Sequence, residues 1–143
     1  MSILLSGVEK IDIFCTKIIC KKKYKRLAIF SHFDKNNIVD KYVIYMLEQL
    51  HKLKFDIVFV TTSEQIHQNE LKKIEKYILM YIVKENSGYD FISWKTGLSF
   101  VKDYKKYESI LHINDSIFFP LVNPKKIFKK MNKNKVDFWG MTD

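Results

Sequence analysis

The sequence predicts an α/β domain with a mostly parallel sheet flanked by helices, a Rossmann-like layout, and three observations support this. Short apolar runs of buried-strand type recur along the chain, amphipathic helical patterns separate them, and the runs exit into polar residues. The first run is Leu27-Ala28-Ile29-Phe30, which follows Arg26 and ends in Ser31-His32-Phe33-Asp34. Unbroken apolar character of this kind suits a strand covered on both faces. Asp40 is placed to cap the next helix, where Val43, Met46, Leu47, Leu50 and Leu53 recur at three- and four-residue steps and make one core-facing stripe. Phe55 to Val60 reads as the second strand, with Thr61-Thr62-Ser63-Glu64 at its exit. Leu71, Ile74 and Ile78 carry a further helical pattern, and Leu79 to Val83 suits a third strand, broken by Asn86-Ser87-Gly88. Phe91, Trp94, Leu98 and Val101 are spaced for a helix, and Ser109 to Ile113 follows as a fourth strand. Asn123-Pro124 opens a short helix through Met131, and Val136 to Met141 reads as a fifth strand. Alternation of this kind implies right-handed crossovers, which bring the carboxyl ends of the strands, and so the polar exits, to one site. Ser31, His32 and Ser63 belong to those exits.

Residues 1–25 stand apart as a basic, amphipathic extension, in which Val8, Ile11, Cys15, Ile18 and Ile19 form one face of a short helix capped from Ser6. Residues 26–143 make one domain. At 47% hydrophobic and 15% aromatic, the 143-residue chain has enough apolar surface for one core, and no Pro- or Gly-rich stretch divides it. Lys and Arg outnumber Asp and Glu 25 to 16, a formal charge of +9, so an anionic partner or surface fits: nucleic acid, membrane or sugar nucleotide. The densest cluster, Lys21-Lys22-Lys23-Tyr24-Lys25-Arg26, is either a contact for lipid head groups or phosphates, or a solvated lead-in to the first strand. No nucleic-acid motif and no alternating basic and aromatic strand accompany the charge, which argues against a nucleic-acid partner. Cys15 and Cys20 are too far apart for a CxxC pair and have no nearby histidines, so neither a redox pair nor a zinc site is indicated. Nowhere does the chain reach the ~18 apolar residues of a membrane span. A cytoplasmic protein, attached at most peripherally to the inner face of the membrane, is expected.

The most informative stretches are Glu85-Asn86-Ser87-Gly88-Tyr89-Asp90-Phe91, then Ile113-Asn114-Asp115-Ser116 with Pro120, then Asp137-Phe138-Trp139-Gly140-Met141-Thr142-Asp143. His32-Phe33-Asp34 after the first strand and the helix start Val39-Asp40-Lys41-Tyr42-Val43 add to them. In that order and spacing they are similar to family 2 glycosyltransferases with a GT-A fold, and more closely resemble the rhamnan synthesis protein F family, from about Arg26 to the end. Separated motifs in order are a stronger signal than any one alone, since an isolated Asn-x-Gly or Asn-Asp-Ser arises often by chance.

The resemblance implies the nucleotide-sugar-binding part of a GT-A-like glycosyltransferase, incomplete at its C-terminus, that transfers a sugar such as rhamnose to a glycan or lipid-linked acceptor in cell-surface polysaccharide or lipopolysaccharide assembly. It implies that Asn86 and Gly88 bring a turn's backbone close to the nucleotide, that Asn114 and Ser116 hydrogen-bond the sugar or diphosphate, and that Ser31, His32, Ser63 and Asp90 complete the donor-binding set. It further implies that Asp115 anchors a divalent cation, Mg or Mn, which neutralises the leaving diphosphate. Where the broader fold carries Asp-x-Asp, this chain has Asn114-Asp115-Ser116, one strong hard-metal ligand in place of two. Each residue also has a plainer role open to it. Asn86 and Gly88 suit a turn with unusual backbone angles, Asp115 a strand-end hydrogen bond, Asp90 an N-cap for the third helix, and His32 a structural group as well as a phosphate contact. Trp94 and Trp139 are expected in the core rather than as sugar platforms. No catalytic base is assigned, because by analogy it would lie beyond Asp143. The expectation is a truncated or split transferase, with a partner-binding remnant as the alternative.

Overall fold

The computed structural model describes residues 2–4 and 10–141. The expected cap Ser6, together with Val8, Thr142 and Asp143, lies outside the described residues. Six strands form one sheet among the described residues: β1 (Ser2–Leu4), β2 (Lys10–Ile18), β3 (Arg26–His32), β4 (Phe55–Thr61), β5 (Met80–Lys84) and β6 (Ser109–Asn114), in the order β1-β2-β5-β4-β3-β6. The helices are α1 (Lys41–Lys52), α2 (Gln68–Lys72), α3 (Tyr89–Ser99) and α4 (Lys125–Lys133). β5, β4, β3 and β6 run parallel, and β2 is antiparallel to β5. The fold class is therefore the expected α/β one, with a mostly parallel sheet flanked by helices.

The central strands are buried on both faces, as their unbroken apolar runs require. Every residue of β4 and β5 is buried, and so are Leu27 through His32 in β3. Alternate side chains supply two cores. Ala28, Phe30, Ile57 and Phe59 point with Val43, Met46, Leu47 and Leu50 of α1 into one, while Leu27, Ile29, Val58 and Val60 meet Trp94 and Leu98 of α3 in the other. Asp40 takes the N-cap position of α1 without a side-chain cap bond, and the helix stops where Lys54 adopts φ 66. At the amino-terminal edge of the sheet the buried Asp56 accepts hydrogen bonds from the Lys23 and Tyr24 amides (3.1 and 3.2 Å) and the Tyr107 hydroxyl (2.9 Å). The basic cluster before β3 is thus fastened to the sheet by its backbone.

Three expectations are corrected. The segment expected to be helical, with Ile11, Cys15, Ile18 and Ile19 on one face, is the strand β2 through Ile18. Its register slips between Ile13 and Cys15, opposite Lys84 and Val83, so an extra residue is inserted there. The bulge sends Ile11 and Ile13 to one core and Cys15 to the other, which erases a strand-like alternation and leaves three- and four-residue spacings. The pattern Leu71, Ile74, Ile78 gives only the short α2, followed by three-residue turns (Lys73 N–H to Glu70, Ile74 to Leu71, Tyr77 to Ile74) that still bury all three side chains. Val136–Met141 is not a strand. Val136 and Phe138 are exposed, and only Trp139 packs back, edge-on to Phe128 with centroids 5.5 Å apart.

α3 lies close on the sheet because Gly97 has no side chain: a β-carbon there would sit 2.5 Å from Ile29 Cγ2 and 2.9 Å from Val60 Cγ2. Both neighbours belong to buried central strands and cannot yield without moving β3 and β4. Gly97→Val is expected to lower unfolding stability by roughly 1–3 kcal/mol through overpacking, read as a lower urea midpoint. An unchanged midpoint would show that α3 is not seated this tightly.

Candidate functional site

Successive parallel strands step from β3 to β4 to β5, and the chain then crosses back to place β6 on the other side of β3. At that reversal the carboxyl ends of β3 and β6 lie side by side, the place where open α/β sheets form their ligand crevice; the loops leaving both strands pass to the face covered by α1, and α3 covers the other. Ser31 and Asn114, which are register partners, stand at the floor of the crevice. Asp90, in the first turn of α3, closes it: Ser31 Oγ donates to Asp90 Oδ1 at 2.7 Å and Asn114 Nδ2 donates to Asp90 Oδ2 at 2.6 Å. Asp90 is therefore not the N-cap expected for the third helix. Gly88 holds that position, at φ 74, and a β-carbon there would collide with Ile92. The expected unusual backbone angle at Gly88 is present, and Tyr89 follows at φ 53.

Asp115, one residue beyond β6, turns back over β3. Its Oδ2 accepts the Phe33 amide at 2.9 Å, and its own amide donates to the Ser31 carbonyl at 3.2 Å. Burial is the largest influence on this carboxyl and drives its pKa upward; the Phe33 hydrogen bond opposes the shift and the nearby Asp90 and Asp34 add to it, leaving it pushed up to about 6. His32, 1% exposed, has Nδ1 2.8 Å from Thr61 Oγ1 and Nε2 4.0 Å from Asp115 Oδ2. Burial holds its pKa down at about 4, against the pull of Asp34. At neutral pH the imidazole is uncharged, so it packs beside Asp115 without neutralising it.

The remaining expected residues form the rim. Ser63 is buried, with its hydroxyl accepting the Asp34 amide at 2.8 Å and donating to the Asp34 carbonyl at 3.0 Å, so it braces the loop after β3. Asn86 and Ser116 are exposed, and the Asn86 amide donates to Glu64 Oε1 at 2.8 Å. Ser31, His32, Asp90, Asn114 and Asp115 are thus brought together, while Asn86 and Gly88 lie exposed in the turn before α3, Ser116 lies exposed in the loop after β6, and Ser63 braces the loop after β3. Trp94 fastens α3 to β6 by donating from Nε1 to the Ile113 carbonyl at 2.9 Å, the packing role expected of it.

Lys84 went unnoticed in the sequence. It is fully buried at the end of β5, and its ammonium donates to the carbonyls of Glu85 and Ser87 (2.8 and 2.9 Å), under the turn that leads into α3. Burial lowers its pKa, with Glu85 and Glu64 opposing. A lysine closing an otherwise apolar strand, directly before a Gly-containing turn, was the available signal. A divalent cation would find limited protein ligands here. Asp90 already accepts hydrogen bonds on both oxygens, and among the described residues no group of three or more His, Cys, Asp or Glu side chains is arranged to hold a metal. Asp115 is the residue that would hold an ion of the Mg²⁺ type, which is commonly bound by one or two carboxylates with substrate phosphates supplying further oxygens.

Residues 57–143, more than half of the chain, match the family described as Rhamnan synthesis protein F. Comparison with curated proteins and with solved structures returned no match.

The buried His32 and the partly buried Asp115 pull stability in opposite directions. Asp115, raised from 3.8 to about 6, holds its proton more tightly in the folded chain; the stability this contributes is complete below the unfolded value and is lost as pH rises through about 6. His32, lowered from 6.5 to about 4, does the reverse, and its contribution is lost as pH falls from 6.5 toward 4. Asp115→Asn keeps an acceptor for the Phe33 amide but cannot ionise. It is expected to raise stability at neutral pH, by at most roughly 3 kcal/mol, with the gain vanishing near about pH 4. Urea unfolding at both pH values checks this, and a variant no more stable than the parent at neutral pH would contradict it.

Proposed function

Because the chain belongs to the rhamnan synthesis protein F family, which ties it to rhamnan polysaccharide synthesis, we propose that the crevice between β3 and β6 binds the nucleotide-sugar donor of a glycosyltransferase. The observation that carries this reading is the convergence of Ser31, Asp90, Asn114 and Asp115 on the strand-order reversal. Open α/β sheets bind ligands at that place, and the turn at Asn86-Ser87-Gly88, with Asn86 and Gly88 exposed, offers its own backbone for close approach to a nucleotide and its ribose.

A sugar diphosphate is anionic, and the crevice combines features that attract it with three carboxylates, Asp115, Asp90 and Asp34, that resist it. α3 directs its amino end toward the opening, where the Asp90 carboxylate of its first turn already sits, and Lys84 lies buried under the adjoining turn. Asp115 opposes a second anion beside it. Asp115 is the residue that would hold a divalent ion, and such an ion would offset that repulsion and supply charge stabilisation for the departing nucleoside diphosphate. Asn114 offers the sugar a carbonyl oxygen, since its amide group is engaged with Asp90, and Ser116 offers an exposed hydroxyl. Rhamnose is the sugar the family suggests, and a glycan or lipid-linked acceptor in cell-surface polysaccharide assembly is the matching second substrate.

Thermal unfolding in the presence of dTDP-, UDP- and GDP-sugars, with and without Mg²⁺ or Mn²⁺, tests the proposal. A donor at 100 times its dissociation constant adds about 2.7 kcal/mol, a rise of several degrees. One nucleotide class is expected to give that rise, and Asp115→Asn is expected to lose most of it although the variant alone is more stable. No rise with any sugar nucleotide, or the same rise in the variant, would move the donor site away from this crevice.

A further inference from the structure

We infer that the loop after β6 and helix α4 form a docking surface for an anionic lipid bilayer, separate from the donor crevice. From Ser116 to Val136 the chain contains no Asp or Glu and six lysines: Lys125, Lys126, Lys129, Lys130, Lys133 and Lys135. Elsewhere five lysines have carboxylate partners: Lys17 with Glu75, Lys25 with Glu108, Lys52 with Glu48, Lys73 with Glu70 and Lys106 with Asp103. Among the described residues no lysine of α4 has an ion-pair partner, so the charge of this segment is uncompensated.

The same segment exposes large apolar side chains that a monomer gains nothing by showing to water. Phe118 is 73% exposed, Leu121 87% and Val122 72%. The loop is nevertheless held in place. Phe119 and Pro120 are buried, the Tyr45 hydroxyl donates to the Pro120 carbonyl at 3.2 Å, and the Phe118 ring lies 5.4 Å from that of Tyr42. α4 is seated by Phe128, whose ring meets Phe55 at 5.7 Å. At 100° per residue Lys126, Lys129, Lys130 and Lys133 fall on the side of the helix away from Phe128, and all four are exposed.

Fixed apolar tips joined to a helix with an unpaired cationic face require two things of a partner: a phase for Leu121 and Val122 to enter and anionic groups at its boundary. The head-group region of an anionic membrane supplies both within a few ångströms. A nucleic acid offers the phosphates without the apolar phase, and an apolar protein groove offers the phase without a use for the lysines. The basic cluster Lys21–Arg26 is less suited, because its backbone is drawn onto Asp56 and the Lys22 ammonium lies over the Tyr107 ring at 4.1 Å.

Co-sedimentation of the full chain with vesicles of phosphatidylcholine alone, and of phosphatidylcholine with an equal part of phosphatidylglycerol, tests the surface. Binding is expected on the mixed vesicles only, falling as salt is added. The pair Phe118→Ser and Leu121→Ser, and separately the triple Lys126→Gln, Lys129→Gln, Lys130→Gln, are each expected to weaken it about tenfold or more, while Lys21→Gln with Lys25→Gln changes it less than about twofold. These positions are exposed, and the urea midpoint of each variant verifies the fold. No binding to mixed vesicles, equal binding to both kinds, binding that survives both sets of substitutions, or binding lost in the Lys21 and Lys25 variant would overturn the inference. Sugar-nucleotide shifts measured on the same variants are expected to be unchanged, so failure of the membrane surface and failure of the donor site are read separately.

Discussion

Asp90 receives hydrogen bonds from Ser31 of β3 and Asn114 of β6 while belonging to α3, so a single carboxylate joins the two strands that part at the sheet's reversal to the helix that covers them. Hydrogen bonds to a charged acceptor are among the stronger ones, and here both carboxylate oxygens are used. The rest of the opening follows from that clasp. It fixes the angle at which α3 leaves the Asn86-Ser87-Gly88 turn, and Gly97 allows the far part of the helix to settle onto Ile29 and Val60. With the helix so placed, Trp94 reaches the Ile113 carbonyl and the end of β6 is held from its other side. Asn114 and Asp115 then have no freedom to wander.

The crevice is also where the fold is least comfortable. Asp115 is largely buried, with Asp90 and Asp34 close by and a neutral histidine as its nearest ring neighbour. Purely structural carboxylates are generally placed opposite cations or at several hydrogen-bond donors, as Asp56 is with two amides and a hydroxyl. Asp115 has the Phe33 amide and an environment that disfavours its charge. Perturbation by burial and like charge, inside a cleft, is the pattern expected of a group kept for binding or chemistry. The buried Lys84 under the neighbouring turn adds a second ionisable group in an unusual setting at the same end of the sheet.

Much of the fold was legible because burial on two faces writes unbroken apolar runs. Leu27–Phe30 and Phe55–Val60 needed no other signal, and α1 declared itself through Val43, Met46, Leu47 and Leu50. β2 was obscured by its bulge, which moves Cys15 to the opposite core from Ile13 and leaves a spacing that imitates a helix. Val136–Met141 has β-like composition and no strand to pair with, and pairing is what decides a strand. Within the crevice, Asn114, Asp115 and Gly88 stood out through their motif and strand-end positions. The role of Asp90 did not, since an acidic residue near a helix start reads as a cap, and only the tertiary arrangement shows Ser31 and Asn114 arriving from strands far apart in the chain. Lys84 was hidden by the same logic: a lysine in sequence reads as surface, and burial is a property of the assembled sheet.

Amide chemical-shift mapping during titration with the sugar nucleotide that raises the melting temperature most directly tests whether this crevice is the binding site. Perturbations are expected to concentrate at residues 31–34, 86–90 and 114–116, the three segments that converge on the reversal. Perturbations gathered instead around Tyr24, His51 and Tyr77, which line a cavity of about 230 Å³ at the opposite, amino-terminal end of the parallel strands, would contradict it.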